Sequence, residues 1–247
     1  MYVTPEQIQA STKANVEAIL SLATSQFAAF EKFARARGVL MLRARARGAE
    51  GTTLAFLTRN GFREDHRMCY LVLDVANAPS FGQRFPEELE GRGVSFATYA
   101  YEAIDGALVA SLVGVMEAAA QDWPPYYDEP AVPATADYMK ELLRGGDISA
   151  SCLLAAFAGD ELVGFSNFRQ TGDKTELQQG VTAVKHSHSG RGIGQALKAG
   201  VLHYAAEHGY ATIETYNRAD NAAMLHINAK FGFHCISEEV RFFKPLA

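Results

Sequence analysis

The sequence feature that most restricts the fold is a strand that runs through closely spaced glycines into a helix. Residues 184–197 have the sequence Val-Lys-His-Ser-His-Ser-Gly-Arg-Gly-Ile-Gly-Gln-Ala-Leu, with glycines at 190, 192 and 194. Glycine allows backbone conformations that expose consecutive N–H groups, and the first turn of a helix carries partial positive charge. The segment therefore predicts a backbone site for an anion such as pyrophosphate, to which Arg191 can add a charged contact.

The elements predicted around this segment alternate between strands and helices, which indicates a mixed α/β fold. Strands are predicted at 94–103, 151–158, 162–170, 176–185 and 211–217, with a last strand pair within 233–245. Helices are predicted at 107–120, 135–143, 193–208 and 221–230.

The N-terminal third of the chain has fewer predicted elements than the segment that follows it, and they come in a different order. Its predicted elements are a long helix over 5–37, a strand at 39–47, a helix at 52–59 and a strand at 68–75. Glycine and proline are frequent from 76 to 92, a composition typical of a linker. We therefore predict an N-terminal segment of residues 1–75, a linker of residues 76–92, and one complete domain of residues 93–247.

The two parts share an internal repeat. Gly38 and Gly61 are as far apart as Gly209 and Gly232, and each interval contains a strand, a loop and a helix and ends in Gly-Phe. The first copy thus corresponds to the back half of the second domain. Because a half-domain exposes unpaired strand edges, we expect it to pack on the complete domain or on another subunit.

Charge and hydropathy argue against several classes of protein. The net charge of -5 and the pI near 5.8 give no broad attraction to phosphate backbones, so nucleic-acid binding is not expected. No apolar run approaches the roughly 20 residues that span a bilayer, and no signal peptide is recognisable, which predicts a cytoplasmic protein. His186 and His188 lack a third ligand at a suitable spacing, so no metal is expected.

Together with the glycine segment, two further stretches resemble the GNAT N-acetyltransferase family: Glu-Thr-Tyr-Asn-Arg-Ala-Asp-Asn-Ala-Ala-Met at 214–224 and Ile-Asn-Ala-Lys-Phe-Gly-Phe at 227–233. His188 and Asn228 also resemble the tandem GNAT group that includes mycothiol synthase. The resemblance implies a GNAT fold, with a mixed, mostly antiparallel central sheet flanked by helices, preceded by a half-GNAT segment. It also implies acetyl-CoA as co-substrate and a small-molecule amine as acceptor.

In this family the pantetheine arm of the cofactor lies where the strand at 176–185 diverges from the strand at 211–217. The resemblance implies that backbone groups of Thr182, Ala183 and Val184 pair with this arm. It assigns the pyrophosphate to the loop of Ser189, Gly190, Arg191, Gly192, Ile193 and Gly194, with Asn217 and Asn221 on the same side of the cofactor.

The sequence departs from the family pattern at two positions. Ser189 stands where a Gln or Arg is usual, and Asn228 stands where many members have a Tyr that protonates the leaving thiolate. Asn221 and Asn228 are seven residues apart, so both are expected to face the cofactor. Acid assistance would come from Tyr216, from a water, or not at all, since a thiolate of pKa about 8.5 can leave unaided.

The implied reaction is direct attack of a neutral amine on the thioester. Glu176 is the first candidate for the base that accepts the amine proton, and His186 is the second. The loop of residues 123–133 is expected to border the acceptor.

A rival hypothesis is a non-catalytic protein that binds acyl-CoA or associates with granules. Residues 1–33 resemble the N-terminal helix of phasins, the proteins that coat polyester storage granules, although an ordinary amphipathic helix explains the same pattern. The sequence is compatible with a monomer and with a homodimer.

Overall fold

The computed structural model describes residues 24–47, 51–78, 89–90, 93–122, 134–144 and 151–246. The chain forms two compact units, one of residues 1–68 and 237–247 and the other of residues 69–236. The boundaries between them fall inside two long strands, β2 (Arg63–Asp74) and β8 (His234–Pro245). The division predicted at 76–92 stays a prediction, and most of that stretch lies outside the described residues.

The second unit contains the elements predicted between residues 93 and 230. Its strands are β3 (Val94–Ala100), β4 (Ser151–Ala158), β5 (Glu161–Gln170), β6 (Glu176–Val184) and β7 (Thr212–Arg218). Its helices are α3 (Gly106–Ala119), α4 (Ala136–Arg144), α5 (Ile193–Glu207) and α6 (Ala222–Lys230). The predicted last strand pair is wrong, because the single strand β8 stands in its place. The sequence from His234 to Lys244 contains no Gly, Pro, Asn or Asp that would turn the chain.

The sheet of this unit has the strand order β2-β7-β6-β5-β4-β3. The pairs from β3 to β6 are antiparallel, whereas β6 and β7 are parallel. The parallel pairing extends only from Glu176–Thr212 to Gln178–Glu214. Beyond these residues the two strands diverge, which leaves the second half of β6 without a partner on that side.

Hydrophobic residues cover both faces of the sheet, so the unit has three layers. On one face, α5 packs against β5, β6 and β7 through a cluster that includes Leu197, Phe168, Leu177 and Ile213. On the other face, α3 and α4 pack through Leu112, Met139, Phe165 and Ala183. The sheet is thereby fixed between two helical layers.

The first unit contains a helix at 24–35 (α1), β1 (Met41–Arg47) and α2 (Gly51–Arg59). Its core consists of Ala46, Leu57, Phe62, Val240 and Phe242. β1 pairs antiparallel with the end of β8, from Met41–Pro245 to Arg47–Glu239. The edge of β1 therefore has a partner strand from the C-terminus of the same chain. Residues 5–23 of the predicted N-terminal helix lie outside the described residues.

The internal repeat is confirmed, because each element of the first copy recurs after the same number of residues in the second copy. β1 (Met41–Arg47) recurs as β7 (Thr212–Arg218), α2 as α6, and β2 (Arg63–Asp74) as β8 (His234–Pro245). The bounding glycines all have positive φ, from +71° at Gly38 to +88° at Gly232. The last strand of each copy lies beside the first strand of the other copy, β8 next to β1 and β2 next to β7.

Candidate functional site

A groove with a volume of about 470 Å³ lies in the second unit, between the divergent end of β6 and the first turns of α5 and α6. Eight of the residues predicted to hold the cofactor line it: Thr182, Val184, Ser189, Gly190, Gly192, Ile193, Gly194 and Asn221. Sequence reasoning did not single out Ala119, Asp122, Met224 and Ile227, which also line it. Only tertiary packing brings these four residues to the glycine loop.

The glycine loop ends in a helix start that has no side-chain cap. Gly192 is the N-cap of α5, with φ +88°, and Gly190 has φ +73°. Both conformations are left-handed, which glycine adopts without steric cost. An ordinary N-cap side chain would accept a hydrogen bond from the first turn, but Gly192 has none to offer. The first N–H groups of α5 therefore remain available to an anion in the groove.

The backbone of β6 presents alternate residues to the groove. The Lys185 N–H donates to the Val163 carbonyl at 2.9 Å, so Lys185 faces β5. Backbone N–H and C=O groups point alternately to the two sides along a strand. Those of Val184 and Thr182 therefore point away from β5, into the space where β6 diverges from β7. The backbone groups of Ala183 point to β5, and its side chain belongs to the core beneath α3. The groove thus offers two residues of unpaired backbone.

Asp122, which follows α3, fixes the loop before the glycines. Its Oδ1 lies 2.6 Å from His186 Nδ1, and its Oδ2 accepts a hydrogen bond from the Ser189 hydroxyl at 2.8 Å. The Ser189 hydrogen bond, followed by the one from His186, lowers the pKa of Asp122, so the carboxylate is ionised at neutral pH. Nothing in its sequence context distinguishes Asp122 from any solvated acid at a helix end.

Arg191 and Asn217 do not face the groove. The Arg191 side chain is exposed, and its Nη2 donates to the Ser187 carbonyl at 3.0 Å. Asn217 Oδ1 accepts a hydrogen bond from Asn228 Nδ2 at 2.6 Å. A charged contact from Arg191 to an anion would require its side chain to leave Ser187.

The two asparagines of α6 do not face the same way, contrary to expectation. Asn221 caps the helix by accepting a hydrogen bond from the Met224 N–H at 3.1 Å, and it lines the groove. Asn228 is completely buried, with 0% of its surface exposed, and is bonded to β7 through Asn217. Asn228 therefore joins α6 to β7 instead of facing a ligand.

The candidate catalytic residues Glu176 and Tyr216 lie outside the groove lining. Glu176 is half-buried at the start of β6, where this strand is still paired with β7. The Tyr216 side chain is 46% exposed, and its ring centroid is 6.0 Å from that of Tyr70 on β2. Both residues lie on strands that border the divergence, and their roles stay predictions.

Within the described part of the chain, His, Cys, Asp and Glu side chains form no group of three or more that could hold a metal ion. Over the same residues, none of the helices is long and apolar enough to cross a bilayer.

Comparison with known proteins finds a family match for the part of the chain that contains the groove. Residues 112–233, which run from α3 to the end of α6, match the profile of the Acetyltransferase (GNAT) family. This matched segment contains all of the residues that line the groove. Mycothiol acetyltransferase from Tsukamurella paurometabola is 45% identical over 53 residues, which are 22% of this chain and 18% of that protein.

Two solved structures show the same fold. A GCN5-related N-acetyltransferase from Sphaerobacter thermophilus has a TM-score of 0.65 and 17% identity, covering 83% of this chain and 60% of that one. A tandem GNAT protein from the clavulanic acid biosynthesis pathway has a TM-score of 0.67 and 20% identity, covering 91% of this chain and 70% of that one. This chain therefore spans less than two thirds of the first of these proteins and a small part of the mycothiol enzyme.

Proposed function

We propose that the protein transfers an acetyl group from acetyl-CoA to the amine of a small-molecule acceptor. The observation that carries this proposal is the uncapped start of α5 at Gly192, which opens onto the unpaired backbone of β6. Acetyl-CoA has the two chemical features that these groups match, a pyrophosphate and an extended arm that contains amides. The N–H groups of α5 suit the pyrophosphate, and Thr182 and Val184 suit the arm, which would pair with them as an added strand.

In the proposed reaction, the lone pair of a neutral amine attacks the thioester carbonyl carbon. The new C–N bond forms, the C–S bond breaks, and coenzyme A leaves as the thiolate. A backbone N–H of β6 stabilises the oxyanion, and the amine proton passes to a base. Glu176 is the first candidate for that base. His186, the second candidate, is held by the Asp122 carboxylate, which would orient its ring.

A second candidate function is acyl-CoA binding without catalysis. The observation that favours it is the buried Asn228, whose Nδ2 is bonded to Asn217 and which has no acidic proton to give to a thiolate. Thiol release from acetyl-CoA in the presence of small primary amines separates the two functions. Amine-dependent release supports the enzyme, and binding without release supports the second candidate.

Calorimetric titration of acetyl-CoA tests the donor site. We expect Gly192→Glu to bind acetyl-CoA at least about tenfold more weakly than Gly192→Gln, because its carboxylate would stand beside the pyrophosphate. The two variants share the same shape and the same strain at φ +88°, so they differ only in charge. No binding to the wild type would refute the proposed function, and equal affinities of the two variants would refute the phosphate site.

A further inference from the structure

The side chain of Thr182 belongs to a buried polar cluster that the proposed reaction does not use. Residues three apart on a regular strand face opposite sides of the sheet, but Gln179 and Thr182 both lie against Ser166 of β5. The register explains this, because Ser166 pairs with Thr182 while Phe168 pairs with Gln179, so one residue of β5 opposes two of β6. The extra residue is a β-bulge, which reverses the alternation of β6.

Asn167 holds this bulge in place. Its Oδ1 accepts a hydrogen bond from the Val181 N–H at 2.7 Å, which satisfies the backbone group that the bulge removes from the ladder. A Cβ at Gly180 would lie 2.7 Å from the Asn167 amide, so any larger residue there would displace Asn167. The position of Thr182 relative to the groove is therefore fixed by the strand itself.

The cluster consists of three side chains in contact. Gln179 Nε2 donates to Ser166 Oγ at 2.9 Å and lies 3.4 Å from Thr182 Oγ1, and the two hydroxyl oxygens are 2.9 Å apart. Ser166 is 0% exposed and Gln179 is 1% exposed. Thr182 is half-buried and lines the groove. Thr182 is thus the member through which the cluster reaches the cofactor site.

The hydrogens available in the cluster allow an orientation in which Thr182 donates outward. The amide of Gln179 donates to the hydroxyls, and the contact between the two hydroxyls allows either of them to be the donor. When Ser166 donates to Thr182 Oγ1, the hydrogen of Thr182 is left for an acceptor in the groove. The opposite orientation of the amide would leave two buried donors of Nε2 without these partners. The orientation in the structure leaves only one buried acceptor of this amide, Gln179 Oε1, without a hydrogen bond.

We propose that the Thr182 hydroxyl donates a hydrogen bond to a carbonyl oxygen of the pantetheine arm of bound acyl-CoA. Ser166 and Gln179 act as positioning residues that hold this hydroxyl in its donating orientation. The inference rests on the proposed function, because it assigns a side-chain contact within the same cofactor groove. It adds a contact that depends on the threonine side chain to the backbone contacts of β6.

Calorimetry with three proteins tests this contact. Thr182→Val keeps the shape of the side chain and removes the hydroxyl, so we expect it to bind acetyl-CoA about three- to tenfold more weakly than the wild type. Thr182→Ser keeps the hydroxyl and is expected to bind within about twofold of the wild type. Coenzyme A without the acetyl group should show the same loss in Thr182→Val, because the acceptor atom is in the arm.

The roles of the positioning residues are tested by a double-mutant cycle. Ser166→Ala alone should weaken binding, but it should add nothing when Thr182 is already valine, because its effect acts through that hydroxyl. Thermal unfolding of each variant separates a loss of binding from a loss of folding.

Equal affinities of Thr182→Val and the wild type would overturn the inference while leaving the proposed function intact. A loss seen only with acetyl-CoA would overturn the assignment to the arm, and additive effects of Ser166→Ala and Thr182→Val would overturn the positioning role. Absence of acetyl-CoA binding to the wild type would refute both the proposed function and the contact.

Discussion

Replacing Lys198 with methionine is expected to stabilise the protein at pH 7 by on the order of 3 to 4 kcal/mol. Lys198 lies on α5 with 2% of its surface exposed, and its ammonium is 4.5 Å from the centre of the Phe233 ring. Burial lowers the pKa of Lys198 from 10.5 to about 7. The ring contact offsets only part of the cost of removing the charge from water.

The sign of the pH dependence follows from this pKa. Between pH 7 and 10.5 the unfolded chain keeps the proton while the folded protein releases it, so stability rises with pH across this window. Below about pH 7 both states are protonated, and the full cost of burying the charge is present. In Lys198→Met this contribution to the pH dependence should disappear.

Chemical denaturation at several pH values between 6 and 10 measures the effect. Lys230→Met is the matched control, because Lys230 is an exposed lysine of α6. It should change neither the stability at pH 7 nor its pH dependence. A Lys198→Met variant as stable as the wild type at pH 7 would mean that the folded protein solvates this ammonium.

Gly180→Ala is expected to remove acetyl-CoA binding and to lower the free energy of unfolding by about 2 to 3 kcal/mol. The added methyl would lie 2.7 Å from both the oxygen and the nitrogen of the Asn167 amide, so Asn167 would have to move. Its hydrogen bond to the Val181 N–H would then break, and the bulge would lose its support. A shift of one residue turns each following side chain of β6 to the opposite face.

Gly172→Ala is the control for this variant, because a Cβ at Gly172 meets no atom within 4 Å. Calorimetry with acetyl-CoA and chemical denaturation are measured on both proteins. If Gly180→Ala bound acetyl-CoA as the wild type does, the bulge would not determine the shape of the groove.

Local sequence patterns predicted the parts of the site that are contiguous in the chain. The alternate glycines from Gly190 to Gly194 predicted an open helix start, because their conformational freedom and the helix that follows are both visible in the sequence. The repeat was found for the same reason, since Gly38, Gly61, Gly209 and Gly232 are local turn signals.

Features that depend on tertiary structure could not be predicted in this way. Asp122 reaches His186 and Ser189 from a distant part of the chain, and no pattern around it indicates a partner. The contact between the side chains of Gln179 and Thr182 depends on the β6 bulge. It could not be predicted, because regular alternation places these residues on opposite faces of the sheet. Asn228 was expected at the cofactor, but it is buried and hydrogen-bonded to Asn217 of β7.

The exchange of terminal strands between the two copies of the repeat has a practical consequence for dissecting the protein. A fragment that begins at residue 93 contains the whole groove, yet it lacks β2, whose residues 69–74 belong to the same compact unit as β7. An N-terminal fragment that ends at residue 75 lacks the part of β8 that pairs with β1. Each fragment would carry an unpaired strand edge, so the two pieces should be co-expressed and recovered as a reassembled pair.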